Sequence, residues 1–183
     1  MSAKTEATIE DLYHVPEHGK AEIVNGEVLL MSPTGKDPSR AAFKISMRLY
    51  EYEQRTGSGI AVPDNAGFQV NLPNRKSFSP DAAFYVGNDP GMKFFEDAPV
   101  FAVEVRSEND YGPAAERMIK EKITDYFAAG TLVVWDVDLL SEDVIRSYQA
   151  DHPEWPLIYR RGETANAEPA LSAWTMAVDD LFQ

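Results

Sequence analysis

Residues 99–137 read PVFAVEVRSENDYGPAAERMIKEKITDYFAAGTLVVWDV. In Pro99–Val105 the alternation puts Phe101, Val103 and Val105 on one face and Ala102, Glu104 and Arg106 on the other. A helix is expected from Pro113 to Ala129, with proline in its first turn and Gly130 past its end. Thr131–Val137 is a continuous apolar run, the pattern of a buried strand. Strand, long helix and strand in succession mark an α/β domain built on a mixed sheet.

Working outward, Pro80–Val86 (PDAAFYV) is a further strand with Asp81, Ala83 and Tyr85 on one face. GIAVP and GFQVNLP, ahead of it, are short strands separated by Asp64-Asn65, and Pro73–Lys76 is a turn. Ser39–Thr56 reads as a helix with Phe43, Met47 and Tyr50 on one side and Gly57 as terminator. Asn25-Gly26, between two β-prone runs in Lys20–Met31, predicts a tight hairpin. Thr8 caps a short helix over Ile9–His14 that Pro16 stops. Downstream, DVIRSYQ and PLIYRR are strands, and Val178–Phe182 is a helical turn. The expected organisation is one domain, 1–183: a helical arm at 1–19, a core at 20–137, and C-terminal strands with a cap at 138–183.

The 183 residues are 44% hydrophobic, which excludes a disordered chain. Cysteine is absent, so disulfides and thiolate metal sites are excluded. No apolar run is long enough to span a bilayer and the N-terminus is polar, so a cytoplasmic protein with no membrane partner is expected. A net charge of −13 points away from a nucleic-acid coat protein but leaves room for an enzyme that meets phosphate through bound metal.

Two features carry chemistry. Glu104 stands in an otherwise apolar strand, where an ionised carboxylate is costly unless paired or metal-bound. It either reaches solvent or an arginine at the strand end, or belongs to a site with Asp81. On the following helix, at about 100° per residue, Ala115, Ile119, Ile123 and Tyr126 form an apolar arc with Lys122 on its flank. Lys120 falls on the exposed side near Glu116. Lys122 either snorkels to water or points back at the carboxylates.

Other site types are absent or weak. Pro16 between His14 and His18 spoils a helical zinc pair, and Gly57-Ser58-Gly59 lacks a phosphate-loop ending. Trp135, Trp155 and Trp174 read as packing residues, and the acidic residues of the final third as a solvated face.

In order and spacing, AEIVNGEVLLMSP, SPDAAF, VFAVEVRSEND, EKITDYFAAGTLVVWDVD and AVDDLF resemble the PD-(D/E)XK nuclease superfamily, and more closely its Uma-two branch of restriction-endonuclease-like proteins. The resemblance spans nearly the whole chain. It implies a central mixed sheet flanked by helices, a divalent-metal site, and hydrolysis of phosphodiester bonds in DNA. Asp81 then stands for the aspartate of the Pro-Asp motif and Glu104 for the second acidic residue. The lysine expected two residues later is Arg106, which cannot act as a base; in this branch the lysine moves to the next helix, at Lys122. The resemblance implies Mg²⁺ or Mn²⁺ on Asp81, Glu104 and the Val105 carbonyl. Glu22 is then an outer ligand or, read structurally, an edge-strand charge. Relatives often carry a histidine at the start of the first long helix; Asp37-Pro38-Ser39-Arg40 has none. The alternative is a catalytically silent relative serving as a dimeric interaction module. A homodimer is expected, because an edge such as PLIYRR needs cover.

Overall fold

A computed structural model describes residues 6–15 and 19–182. Pro16 and His18, invoked above as a helix stop and a zinc partner, lie outside them.

The elements in chain order are α1 (Ile9–Tyr13), β1 (Ala21–Val24), β2 (Glu27–Leu30), α2 (Lys36–Thr56), β3 (Ile60–Pro63), β4 (Phe68–Gln69), β5 (Ser77–Phe78), β6 (Ala82–Tyr85), β7 (Phe95–Glu96), β8 (Phe101–Val105), α3 (Pro113–Ala128), β9 (Val133–Val137), β10 (Ile145–Gln149), β11 (Leu157–Tyr159), β12 (Thr164–Asn166) and β13 (Thr175–Ala177), closed by a 3-10 helix at Val178–Phe182. Six strands form the central sheet in the order β11-β10-β9-β8-β6-β3. Only β8 and β9, joined by α3, run parallel. The sheet is therefore mixed and α/β in construction, as expected. A three-stranded sheet, β5-β4-β7, and the hairpins β1-β2 and β12-β13 surround it.

The alternation in β6, β8 and β9 sorts the core into two layers. Phe84, Phe101, Val103, Val105, Val133 and Trp135 face α2 and the C-terminal segment. Ala83, Tyr85, Ala102 and Val134 face α3 and the small sheet, with Phe68, Phe78, Ile123 and Tyr126. Glu104 belongs to the second face by parity, directly beneath α3.

Helix α2 corrects the expected face. Phe43, Met47 and Tyr50 do share a side, but they are about half exposed, at 59%, 49% and 55%. The buried arc is Ala41, Ala42, Ile45, Leu49 and Tyr52, about 160° away around the helix at roughly 100° per residue. Two alanines in that arc let the helix lie close to the sheet while weakening its hydrophobic signal. The helix also begins earlier than expected, at Lys36, and ends on Gly57 in the left-handed conformation (φ 59°).

Asn25 (φ 51°) and Gly26 (φ 75°) make the hairpin turn with the positive dihedrals it requires. Of the tryptophans, Trp135 and Trp174 are core residues 5.3 Å apart by ring centre, but Trp155 is 82% exposed and packs no core. Nor are the late acidic residues all solvated. Asp136 and Asp138 are buried beside Arg106, Arg146 and Tyr111. Among the described residues no helix is long and apolar enough to cross a membrane.

Candidate active site

Asp81 and Glu104 meet because of strand register. Antiparallel β6 and β8 pair Ala83 with Ala102 and Ala82 with Val103. Asp81 immediately precedes β6, and its N–H donates to the Val103 carbonyl (3.0 Å), which sets it beside the Glu104 end of β8. By parity both side chains project from the α3 face, and the Asp81 charge is felt at Glu104. The Val105 N–H donates to Asp81 Oδ2 (2.7 Å). In an extended strand the N–H and C=O of one residue point to the same edge, so the Val105 carbonyl opens toward Asp81 as well.

Lys122 does not snorkel. Its Nζ lies 2.8 Å from Glu104 Oε1 and 2.9 Å from Glu22 Oε1. Its helix places it there because Ile123 and Tyr126 anchor the same arc in the core. Tyr126, fully buried and stacked on Phe78 at 3.9 Å, donates its hydroxyl to Glu104 Oε1 (2.6 Å). Glu104 thus pairs with no arginine; its side chain, 21% exposed, is held by a lysine and a tyrosine.

Glu22 is no edge-strand surface charge. It is 2% exposed, accepts from the Ser79 N–H (2.8 Å), and pairs with Arg75 Nη1 (2.5 Å) as well as Lys122. Arg75 in turn donates to Asp125 Oδ2 (2.8 Å), and Asn74 donates to Asp125 Oδ1 (2.9 Å). The turn Pro73–Lys76, legible only as a turn, therefore delivers a buried guanidinium. It is bridged to β1 through the Val24–Arg75 pair.

Lys20, also unread in the sequence, lies just before β1. Its Nζ bridges Asp64 Oδ1 and Asp81 Oδ1, both at 2.7 Å. Its own carbonyl is held by the Met31 N–H (2.9 Å), which fixes it at the mouth of the hairpin. No local motif announces Lys20, Asp64 or Arg75; they come together through contacts between segments far apart in sequence.

The electrostatics divide the two glutamates. Burial raises the Glu104 carboxyl, Lys122 lowers it, and Asp81 and Glu22 raise it again, for a value of about 7. Burial also opposes charge on Glu22, but Lys122 and Arg75 outweigh it and hold its carboxyl below the ordinary value. Lys122 is raised: burial works against its charge, and the charges of Glu104 and Glu22 overcome it. Lys20 is likewise raised, burial being overcome by Asp81 and Glu104. Both amines are held as ammonium ions. Burial, then the neighbouring Glu104 charge, pushes Tyr126 well above its usual range, so it stays a hydrogen-bond donor.

Arg106 does not enter this cluster. Its guanidinium forks onto Asp136 (2.8 and 2.7 Å) and reaches Glu116. Glu116 therefore turns to Arg106 rather than simply pairing with Lys120. Asp136 is the β9 residue in register with Glu104, so Arg106 neutralises the carboxylate nearest to Glu104 on that side.

Among the described residues no group of three or more His, Asp or Glu side chains is arranged to hold a metal ion. Ammonium ions sit between the carboxylates instead. The donor chemistry of Asp81, Glu104 and the Val105 carbonyl is all oxygen, which suits a hard cation, and Mg²⁺ is commonly held by only one or two carboxylates plus water and phosphate. Glu22 is committed to Arg75, Ser79 and Lys122 and fits an anchoring role better than direct ligation. The charges agree. With Glu104 ionised, Asp64, Asp81, Glu22 and Glu104 face Lys20 and Lys122, while Arg75 and Asp125 cancel, leaving two negative charges, the complement of one divalent ion.

Comparison with known proteins agrees with the architecture. Residues 7–179 match the Uma2 family model, described as "Putative restriction endonuclease". The crystal structure of a "putative nuclease belonging to DUF820" from Anabaena variabilis ATCC 29413 has the same fold, with a TM-score of 0.74 at 15% identity over 96% of this chain and 97% of that one. Among curated proteins none matches the chain.

Proposed function

The chain belongs to the Uma2 family, and from that membership and the geometry of the site we propose that it is a divalent-metal-dependent endonuclease that hydrolyses phosphodiester bonds in DNA in the cytoplasm. The observation that carries this reading is the placement of Lys122 Nζ, 2.8 Å from Glu104, with the Asp81 carboxylate held by the N–H of Val105, the residue after Glu104. Asp81, Glu104 and the Val105 carbonyl would hold Mg²⁺ or Mn²⁺. When bound, such an ion supplies Lewis acidity, lowering the pKa of water and neutralising phosphate charge.

The chain's own groups do the rest. Lys122 is kept charged by its two glutamates, so it acts as a donor. It orients the attacking water or stabilises charge on the phosphate; it does not abstract a proton. Glu22 acts at one remove, holding Lys122 in place against the site. Tyr126 fixes the Glu104 rotamer from below. Arg106, locked to Asp136 and Glu116, leaves the lysine role to the helix. Because the surface is strongly acidic, substrate approach depends on charge compensation at the site.

The test is nicking of supercoiled plasmid with Mg²⁺ or Mn²⁺. Nicking should be abolished by chelation and by Asp81→Ala. Activity that survives both would refute the assignment. The second reading is the silent, dimeric interaction module. It is favoured by the locked Arg106 and by the two lysines that already occupy the carboxylates. Under either reading we place a homodimer contact on the exposed Phe43, Met47 and Tyr50 stripe of α2.

A further inference from the structure

Asp81 has both carboxylate oxygens engaged: Oδ2 accepts the Val105 N–H and Oδ1 accepts Lys20 Nζ at 2.7 Å. Lys20 is also held by Asp64 at 2.7 Å, and its side chain is only 17% exposed. Asp64 is itself oriented, since its Oδ1 accepts the Asn65 N–H at 2.7 Å. This is a built position for a cation, and a residue of the chain fills it. Any ion that approaches Asp81 from the Oδ1 side meets an ammonium first.

We propose that Lys20 is a resident cation of the site: clamped between Asp64 and Asp81, it competes with a divalent ion for Asp81 and restricts the site to a single metal. The inference rests on the reading of Asp81 as a metal ligand and deepens it, because it names the residue that sets metal affinity and stoichiometry. With Lys20 present and Glu104 ionised, the cluster keeps two uncompensated negative charges. Without it the cluster keeps three, and Asp64 and Asp81 face each other with no cation between them. Lys20 is a positioning residue here, acting through Asp81.

The experiment is Mn²⁺ binding to the full chain at fixed pH and ionic strength, followed by calorimetry and by the electron paramagnetic resonance signal of unbound Mn²⁺. Wild type is compared with Lys20→Met, Lys20→Gln, Lys20→Arg and, as a control for net charge, Lys120→Met. Circular dichroism melts confirm that each variant folds. Should Lys20→Met fail to fold, Lys20→Gln decides, since it keeps an N–H donor for Asp64 without the charge. Removing a unit positive charge roughly 4 Å from a divalent ion is worth more than about tenfold in affinity even at the dielectric constant of water. The neutral variants should therefore bind Mn²⁺ roughly tenfold tighter or take up a second ion, while Lys20→Arg and Lys120→Met stay close to wild type. Neutral variants that bind no more tightly than wild type, with the same stoichiometry, would overturn the proposal. The outcome also separates it from the functional reading. Uptake by the neutral variants alone would support the role of Lys20 and sink the metal-dependent reading of the native chain. No uptake by any variant would sink both.

Discussion

Glu104→Gln should stabilise the metal-free protein above neutral pH, although it removes a proposed metal ligand. Burial is the largest cause that lifts the Glu104 carboxyl from 4.5 to about 7, with Asp81 and Glu22 adding to it against Lys122. The folded state thus holds this proton more tightly than the unfolded chain between those two values. Stability contributed by the group is full below about pH 4.5, is lost as pH rises toward 7, and is absent above it. At about 1.4 kcal/mol per tenfold change in proton affinity, the full shift caps the cost of ionising Glu104 at about 3 kcal/mol. The side chain is 21% exposed and shares Lys122 with Glu22, which brings the expected cost to the order of 2 kcal/mol. Glutamine carries no charge yet still accepts from Lys122 and Tyr126. For a domain of this size, 2 kcal/mol corresponds to roughly 4–8 °C in Tm. Differential scanning calorimetry in chelator should show the variant melting that much higher at pH 8 and level with wild type at pH 4.5. Added Mn²⁺ at pH 8 should narrow the gap by stabilising wild type alone. A variant that melts at or below wild type at pH 8 in chelator would refute the argument that Glu104 is held in an environment hostile to its charge.

Two further expectations follow from the same network and from α2. Glu22→Gln should destabilise the fold by about 2–4 kcal/mol in urea titrations, because it leaves Lys122 and Arg75 short of a buried counter-charge; the opposite sign from Glu104→Gln is the diagnostic feature, and a neutral result would contradict the pairing. Light scattering at micromolar concentration should report a dimer that Phe43→Glu converts to monomer, and a monomeric wild type would remove the α2 interface.

The fold was legible where apolar residues run together or recur with a strand or helix period. β9 was read from a continuous apolar run, β6 and β8 from short β-prone segments, and α3 from the arc of Ile119, Ile123 and Tyr126. The site's centre was legible for the same reason: Glu104 interrupts an apolar strand and Lys122 flanks an apolar arc, so each stands out against its neighbours. α2 misled, because its buried arc contains Ala41 and Ala42 while Phe43, Met47 and Tyr50 sit outside, so the strongest hydrophobic signal marked the exposed face. Lys20, Asp64 and Arg75 were illegible for a different reason. They lie in a hairpin mouth, a strand end and a turn, where charged residues are unremarkable, and only long-range contacts bring them to Asp81 and Glu22. Asp136 was hidden by its partner, since a buried carboxylate is tolerable only once Arg106 from the neighbouring strand is seen to fork onto it.

Central to the account is that Lys122, held by Glu22 and Glu104, serves the chemistry of the site. The most direct measurement is the rate of Mn²⁺-dependent nicking of supercoiled plasmid by Lys122→Met and Lys120→Met, with folding of both checked by circular dichroism. Methionine keeps the length of Lys122 but leaves Glu22 to Arg75 and Glu104 to Tyr126, so the first variant should fold with reduced stability. Its nicking should be lost, whereas Lys120→Met, altered on the exposed side of the same helix, should nick at close to the wild-type rate. Equal, undiminished nicking by the two variants would contradict the account, leaving Lys122 a structural ion-pair partner with no part in hydrolysis.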